Sequence, residues 1–121
     1  MATVRYLVKD VDQAIAFYSG LLCLELLQQF GPAMAILAHG DLQLWVAGPS
    51  ASAARPMPDG QAPGPGGWNR FVIAVENLPE RVAALRRQGV GFRNDMVEGP
   101  GGRQILCEDP SGNVVELFEL R

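Results

Sequence analysis

Hydrophobic and polar positions along the first 47 residues predict one strand, one helix and three further strands. Residues 4–8 form a short apolar run typical of a strand, and apolar residues recur at helical spacing from residue 14 to residue 21. Asp10 stands three residues before Gln13 at the start of the helical pattern, where its carboxylate can accept unpaired backbone N–H groups. The three further strands are predicted over residues 24–30, 33–38 and 42–47.

The second half of the chain repeats this order of elements. A strand is predicted over residues 71–75, and Asn77 with Glu80 three residues later predicts a second capped helix start. Residues 109–113 contain a proline and a glycine at positions that favour a tight turn. The remaining strands are predicted over residues 90–96, 104–108 and 114–120. The pattern therefore predicts the order βαβββ twice.

A segment rich in proline and glycine separates the two halves. Residues 48–67 contain five of the nine prolines and five of the 14 glycines, without the apolar periodicity of a packed element. We expect an exposed, mobile connection there. The 121 residues are enough for one domain, with a first module over residues 2–47, the linker over 48–67 and a second module over 68–121.

Composition and charge narrow the function classes. Hydrophobic residues make up 48% and charged residues 19% of the chain, which is typical of a folded globular protein. The net charge of −3 and the scattered basic residues argue against a nucleic-acid partner. The apolar runs are too short to span a membrane, and no signal peptide is visible. We therefore expect a cytoplasmic protein in which Cys23 and Cys107, which lack metal or redox spacing, are buried thiols.

Two sequence motifs resemble those of a known family. Asp10-Val11 followed by Ala14-Ile15-Ala16-Phe17-Tyr18 opens the first helix, and Glu108-Asp109-Pro110-Ser111-Gly112-Asn113 leads into Val115-Glu116-Leu117. With the duplication, the chain resembles the vicinal-oxygen-chelate superfamily, which includes glyoxalase I, bleomycin-resistance proteins and extradiol dioxygenases. The resemblance implies an α+β fold in which two βαβββ modules form a curved mixed sheet with a concave cleft. It also implies a homodimer.

The resemblance further implies where a divalent metal would be bound. Carried onto this sequence, the four chelating positions of the family hold Thr3, Gln43, Arg70 and Glu116. Arg70 is permanently cationic and has only hydrogen-bond donors, so it would repel a metal ion within bonding range. One carboxylate without an imidazole falls short of a usual metal site. We therefore expect neither a metal nor another cofactor.

Strand alternation suggests what replaces the metal. Arg70 and Glu116 are expected on neighbouring strands and on the cleft face, where they are predicted to form an ion pair. The alternative is that the two side chains are separately solvated at the mouth of the cleft.

Aromatic and basic side chains supply the other candidate ligand contacts. Gln43 and Trp45 are expected to share the cleft face with Phe118 of the second module, although ordinary packing would equally explain Trp45. Trp68 is expected either to line the cleft rim or to hold the linker in place. Arg5, on the same face as Thr3, is expected together with Arg70 to make part of the cleft cationic, which suits a carboxylate or phenolate ligand. The alternative is that Arg5 lies over apolar neighbours at the surface.

A glycine-rich stretch precedes the predicted strand 104–108. Residues 98–103 do not open a helix, so they are not a phosphate-binding loop. We interpret them as a mobile flap from which Arg103 reaches the cleft.

Two functions follow from these residues. The first is a metal-free protein of the glyoxalase/bleomycin-resistance type that binds a small organic molecule in an aromatic-lined cleft, for sequestration or resistance. The alternative is a glyoxalase-like lyase or isomerase in which Glu116 acts as the base while Arg70 or Arg5 stabilises an oxyanion.

Overall fold

The computed structural model describes all 121 residues, and they form two units, residues 1–66 and residues 67–121. The boundary falls at the end of the segment rich in proline and glycine. That segment contains one short 3₁₀ helix, Ser52–Ala54, and no strand. None of the helices is long and apolar enough to cross a membrane.

The first unit contains a four-stranded sheet, sheet 1, with one helix packed on it. The strands lie in the order β1-β4-β3-β2; β1 runs parallel to β4, and the other neighbours are antiparallel. The helix α1 continues into a π-helical segment and packs against β3 and β4. The elements are β1 (Ala2–Leu7), α1 (Val11–Ile15), the π-helical segment (Ala16–Leu21), β2 (Glu25–Phe30), β3 (Met34–His39) and β4 (Leu42–Ala47).

Alternation and capping explain why these residues adopt this arrangement. Asp10 Oδ1 accepts a hydrogen bond from Gln13 N at 2.9 Å, which confirms the predicted start of α1. Leu44 and Val46 of β4 are fully buried on the helix side of the sheet, together with Leu37 of β3. The residues between them, such as Trp45, are half-buried on the other side. We call the side opposite the helix the outer face.

The second unit has the same architecture in sheet 2. Its strands lie in the order β5-β9-β8-β6, and the short β7 also pairs with β8. Strands β5 and β9 are parallel, whereas β8 is antiparallel to each of its neighbours. The elements are β5 (Arg70–Ala74), α2 (Leu78–Arg87), β6 (Gly91–Phe92), β7 (Val97–Gly99), β8 (Gly102–Glu108) and β9 (Val114–Leu120). The first unit therefore has the predicted order βαβββ, and the second has this order with one strand divided into β6 and β7. The α+β prediction is confirmed.

The prediction of one continuous strand over residues 90–96 is wrong. Instead, β6 and β7 both pair with β8 and are separated by four residues, of which Arg93 still donates its backbone N–H to the Leu106 carbonyl at 2.9 Å. Asn94 accounts for the break, because its side-chain Oδ1 accepts the Leu106 N–H at 3.0 Å where a backbone carbonyl would otherwise do so.

Residues 98–103 are also not the unpaired flap that the sequence suggested. They belong to a hairpin in which Glu98 lies opposite Arg103 and Gly99 opposite Gly102. A Cβ atom at Gly102 would collide with the backbone carbonyl of Glu119, so only glycine fits this closely paired position. Arg103 lies in register with Glu119 and contacts it, on the sheet face opposite to that of Glu116. The prediction that Arg103 reaches the same face as Glu116 is wrong.

The start of α2 differs from its prediction as well. Asn77 has left-handed backbone angles (φ 52°, ψ 57°), and its side chain caps nothing. Glu119 of β9 takes this role, because its two carboxylate oxygens accept the N–H groups of Asn77 at 2.9 Å and Leu78 at 3.2 Å. The Arg103 Nε donates to the same carboxylate at 2.8 Å. Glu119 therefore joins β8, β9 and α2.

The two cysteines have different environments. Cys107 is fully buried, as predicted, and burial raises the pKa of its thiol to about 12. Cys23 is exposed, which contradicts the prediction; it follows the π-helical segment with a left-handed φ of 64°, and this turn directs it away from the core.

Glu119 should make the stability of the fold dependent on pH. The hydrogen bond from Arg103, reinforced by the two backbone N–H groups, holds the pKa of the Glu119 carboxyl below its usual value. The stabilisation is thus complete above the unfolded-state pKa of about 4.3 and is lost as the pH falls through the lower folded-state pKa. We expect Glu119→Gln to be less stable than the wild type at pH 7, and the difference to shrink steadily as the pH is lowered to about 3.

Urea unfolding followed by circular dichroism across this pH range measures the difference. Glu98→Gln is the matched control, because the Glu98 side chain is 64% exposed and its ion pairs are long, at 3.6 and 3.9 Å. A stability difference for Glu119→Gln that stays constant from pH 7 to the acid limit would contradict this role.

Candidate functional site

Alternation along β5 and β9 determines which side chains reach the outer face of sheet 2. Phe71 and Ile73 are buried on the helix side, whereas Arg70, the first residue of β5, is exposed. On β9, Val115 and Leu117 are fully buried, and Glu116 between them faces the other way. Arg70 and Glu116 thus share the outer face on neighbouring parallel strands.

Arg70 and Glu116 form the predicted ion pair. The Nε and Nη2 groups of Arg70 donate to Oε1 of Glu116 at 3.1 and 2.9 Å. The Glu116 side chain is only 10% exposed and that of Arg70 is 31% exposed, so the pair is partly withdrawn from water. A third donor, Arg70 Nη1, bonds the carbonyl of Trp68 at 3.3 Å. The alternative of two separately solvated side chains is therefore wrong.

This pair decides whether the residues fit a divalent metal. A metal bound by Glu116 would lie beside a guanidinium that donates two hydrogen bonds to the same oxygen, and the two cations would repel each other. Thr3 and Gln43 lie opposite each other on β1 and β4 and offer only neutral oxygens. No three His, Cys, Asp or Glu side chains are grouped to hold a metal ion. The donor set does not fit the metal that the resemblance implies.

A second group of candidate residues meets on the outer face of sheet 1. Arg5 lies opposite Trp45 across the β1–β4 ladder, and its guanidinium carbon is 5.2 Å from the centre of the indole ring. The Trp45 Nε1 donates to Oε1 of Gln43 at 3.2 Å. Thr3, in register with Gln43, completes the group. The structure thus brings four of the predicted residues together within the first unit.

Trp68 is held at the beginning of the second unit by a residue that the sequence did not single out. The Arg93 guanidinium carbon lies 4.5 Å from the centre of the Trp68 ring. Arg93 also donates to Glu108 at 2.9 Å, to the Gly67 carbonyl at 2.7 Å and to the Gly112 carbonyl at 2.9 Å. Its only sequence signal was its place in the predicted strand 90–96, which says nothing of a role. The contacts favour the interpretation that Trp68 secures the end of the linker.

Phe118 is the remaining predicted contact. It is half-buried and lies two residues after Glu116, so it shares the outer face of sheet 2, with Ala74 and Gln104 in register on either side. Apart from Trp68, which precedes β5, the candidate site residues are therefore grouped on two outer faces, one for each sheet.

Comparison with known proteins gives this arrangement a family. The sequence profile of the Glyoxalase/Bleomycin resistance protein/Dioxygenase superfamily matches residues 1–117. The chain belongs to this superfamily. The resemblance read from the two sequence motifs is thereby confirmed. A search of curated protein sequences finds no match.

Solved structures of the superfamily share the fold over nearly the whole chain. A superfamily member from Sphaerobacter thermophilus is 25% identical with a TM-score of 0.77, covering 98% of this chain and 95% of its own. Lactoylglutathione lyase from Agrobacterium tumefaciens is 20% identical with a TM-score of 0.77, covering 98% and 92%. TnmS3, an antibiotic-binding protein from a Streptomyces species, is 24% identical with a TM-score of 0.74, covering 98% and 93%.

A double-mutant cycle should measure the interaction energy between Arg70 and Glu116 in this superfamily member. Arg70→Ala leaves the nearly buried Glu116 without its partner, so we expect a loss of about 1–3 kcal/mol in the free energy of unfolding. Glu116→Ala and the double variant complete the cycle. Because each single change already breaks the pair, the double variant should lose less than the sum of the singles by at least about 0.5 kcal/mol. Purely additive losses in urea unfolding would refute the pairing.

Proposed function

We propose that this superfamily member binds a small organic molecule without a metal ion, through polar and aromatic side chains on the outer faces of its sheets. The observation that carries the proposal is the Arg70–Glu116 ion pair. Its two hydrogen bonds to one carboxylate oxygen put a fixed positive charge where the resemblance implies a metal. Ligand recognition is then left to hydrogen bonds and aromatic surface.

The Trp45 group supports the same proposal from the first unit. The indole N–H of Trp45 is already satisfied by Gln43, so the half-buried ring has no unpaired polar atom, and the Arg5 guanidinium lies over it. Such a surface suits a planar or amphipathic ligand. Sequestration of the ligand or resistance to it is the role that we propose, and the similarity of fold to the antibiotic-binding protein TnmS3 agrees with it.

Several finer statements belong to this proposal. We propose that the two modules, residues 2–47 and 68–121, act with their linker as one domain, that the protein is a cytoplasmic homodimer, and that it needs no cofactor. Glu116 is assigned the only catalytic role if the protein proves to be an enzyme. The proposed ligand contacts are Thr3, Arg5, Gln43, Trp45, Trp68, Arg70 and Phe118.

Metal titration tests the first half of the proposal. A metal ion that binds the folded state raises the melting temperature by mass action, so binding with micromolar affinity is readily detected. We expect no saturable shift with nickel, zinc, manganese, cobalt or iron(II), and no stoichiometric metal in the purified protein. A bound metal whose stabilisation disappears in Glu116→Ala would overturn the metal-free proposal.

A ligand screen tests the second half. Planar aromatic compounds that bind should raise the melting temperature, by the equivalent of about 2.7 kcal/mol at a concentration 100 times their Kd. The chain has only two tryptophans, so Trp68→Phe leaves Trp45 as the sole indole reporter. We expect binding compounds to change the Trp45 fluorescence of that variant. The Kd obtained from this fluorescence change should equal the Kd obtained from the thermal shift of the same variant. The Trp45→Phe variant, which retains Trp68, is the matched control for the second reporter.

The same compounds separate binding from catalysis. A binding protein returns each compound unchanged after prolonged incubation, whereas a lyase or isomerase converts it. Turnover that is lost in Glu116→Gln while the thermal shift persists would favour the enzyme, with Glu116 as its base. If no compound in a broad screen shifts the melting temperature, the proposed function is wrong.

A further inference from the structure

The arginines on the two outer faces differ in charge balance. Arg70 is neutralised by Glu116 and has three of its five N–H groups bonded within the protein. Arg5 has no carboxylate oxygen within 4.0 Å, and its guanidinium donates no hydrogen bond to the protein. The arginines that do lie in ion pairs are Arg70, Arg86, Arg93, Arg103 and Arg121. Arg5 is therefore an uncompensated cation on the face that carries candidate ligand contacts.

The position of the Arg5 guanidinium is nevertheless determined. It lies over the Trp45 ring at 5.2 Å, an arrangement in which the negative face of the indole attracts the cation. The contact with the ring uses none of the guanidinium N–H groups, and an arginine binds a carboxylate by two parallel hydrogen bonds from these groups.

Gln43 adds neutral donors beside this cation. An indole N–H can only donate, so the bond from Trp45 Nε1 fixes the Gln43 oxygen toward the ring. The Gln43 Nε2 group is then directed away from the indole and donates to no protein atom. The Thr3 hydroxyl lies in register across the ladder from Gln43. Arg5, Gln43 and Thr3 thus all offer hydrogen-bond donors around one aromatic ring.

No acidic side chain is in register with Trp45, and the nearest carboxylate along the chain is that of Asp41, which precedes β4 and is four residues from Trp45. The residues in register with Trp45 on its two sides are Arg5 and Ile36, and Gln28 follows beyond Ile36. In the neighbouring row, Glu25 is the only carboxylate, and it stands at the far edge strand, three ladder positions from Thr3. Strand spacing of about 4.8 Å puts it beyond the Debye length at physiological salt.

We infer that the ligand is an aromatic carboxylate, or a similarly flat aromatic anion, whose acid group is bound by Arg5 and whose ring lies against Trp45. The inference rests on the proposed function, because it names the chemical class of ligand for the same outer face. Arg70 is not the anion-binding group, since its charge is already balanced by Glu116.

A matched pair of probes tests the charge requirement. 2-Naphthoate and 2-naphthamide have the same ring system and nearly the same shape, but only the first is an anion at pH 7. We expect the wild type to bind the naphthoate at least about tenfold more tightly, as measured by isothermal titration calorimetry, because a hydrogen bond to a charged group is stronger. The preference should weaken in high salt.

Three variants assign the preference to residues. Arg5→Gln should remove the preference for the naphthoate, by weakening naphthoate binding far more than naphthamide binding. Arg5→Lys should restore part of the preference, because it keeps the charge but loses the flat two-pronged geometry. Trp45→Leu should weaken both probes alike. Arg55→Gln is the control, since Arg55 is an exposed arginine of the same unit outside the sheet.

The outcomes separate this inference from the proposed function. Equal binding of both probes, unaffected by Arg5→Gln, would overturn the anion assignment and leave the aromatic-binding function standing. A naphthoate preference that survives in Arg5→Gln would also overturn it, because another group would then hold the acid. Failure of both probes to bind at millimolar concentration rejects this ligand class, and the broad screen alone then judges the proposed function.

Discussion

A carboxylate withdrawn from water needs a positive partner, and in this protein that requirement determines the outer face of sheet 2. Glu116 lies on a strand that has a neighbour on each side and is only 10% exposed. Without Arg70 it would be a buried charge with no counter-charge. With Arg70 in place, the strand can carry a glutamate without any metal, and the guanidinium also bonds the Trp68 carbonyl. The conformation at the beginning of the second unit is thereby coupled to the chemistry of the site.

The same strand uses a second carboxylate on its other face. Glu119 points to the helix side, where it caps α2 and bonds Arg103. Because successive side chains of a strand alternate in direction, residues three apart face opposite ways. Strand β9 thus provides one carboxylate, Glu116, on the face of the candidate site and another, Glu119, that stabilises the fold. Because they face opposite ways, neither can replace the other. In this chain β9 carries both carboxylates in the second unit, whereas Asp10 caps the helix locally in the first.

The sequence predicted local features well and long-range contacts poorly. The Asp10 cap and the strand over residues 42–47 depend on neighbouring residues, and both are as expected. Asn77 failed as a cap because a glutamate 42 positions later supplies the oxygens, and no local pattern encodes that contact. Asn94 interrupts the strand that was predicted over residues 90–96, through a side-chain contact with Leu106 on β8. In the candidate site, the Arg70–Glu116 pair followed from alternation and family register, but Arg93 could not be found because its partners are mainly backbone carbonyls far along the chain.

Arg93 also bears on how such proteins diverge. Its guanidinium donates to the carbonyl of Gly67, the last residue of the segment rich in proline and glycine, and to the carbonyl of Gly112 in the turn before β9. The first residues of the second unit are thus fixed from within that unit. Insertions or deletions in the preceding segment would be absorbed before Gly67 and would leave the position of Trp68 unchanged. Evolution is therefore free to alter the length of this connection independently of the residues that contact a ligand.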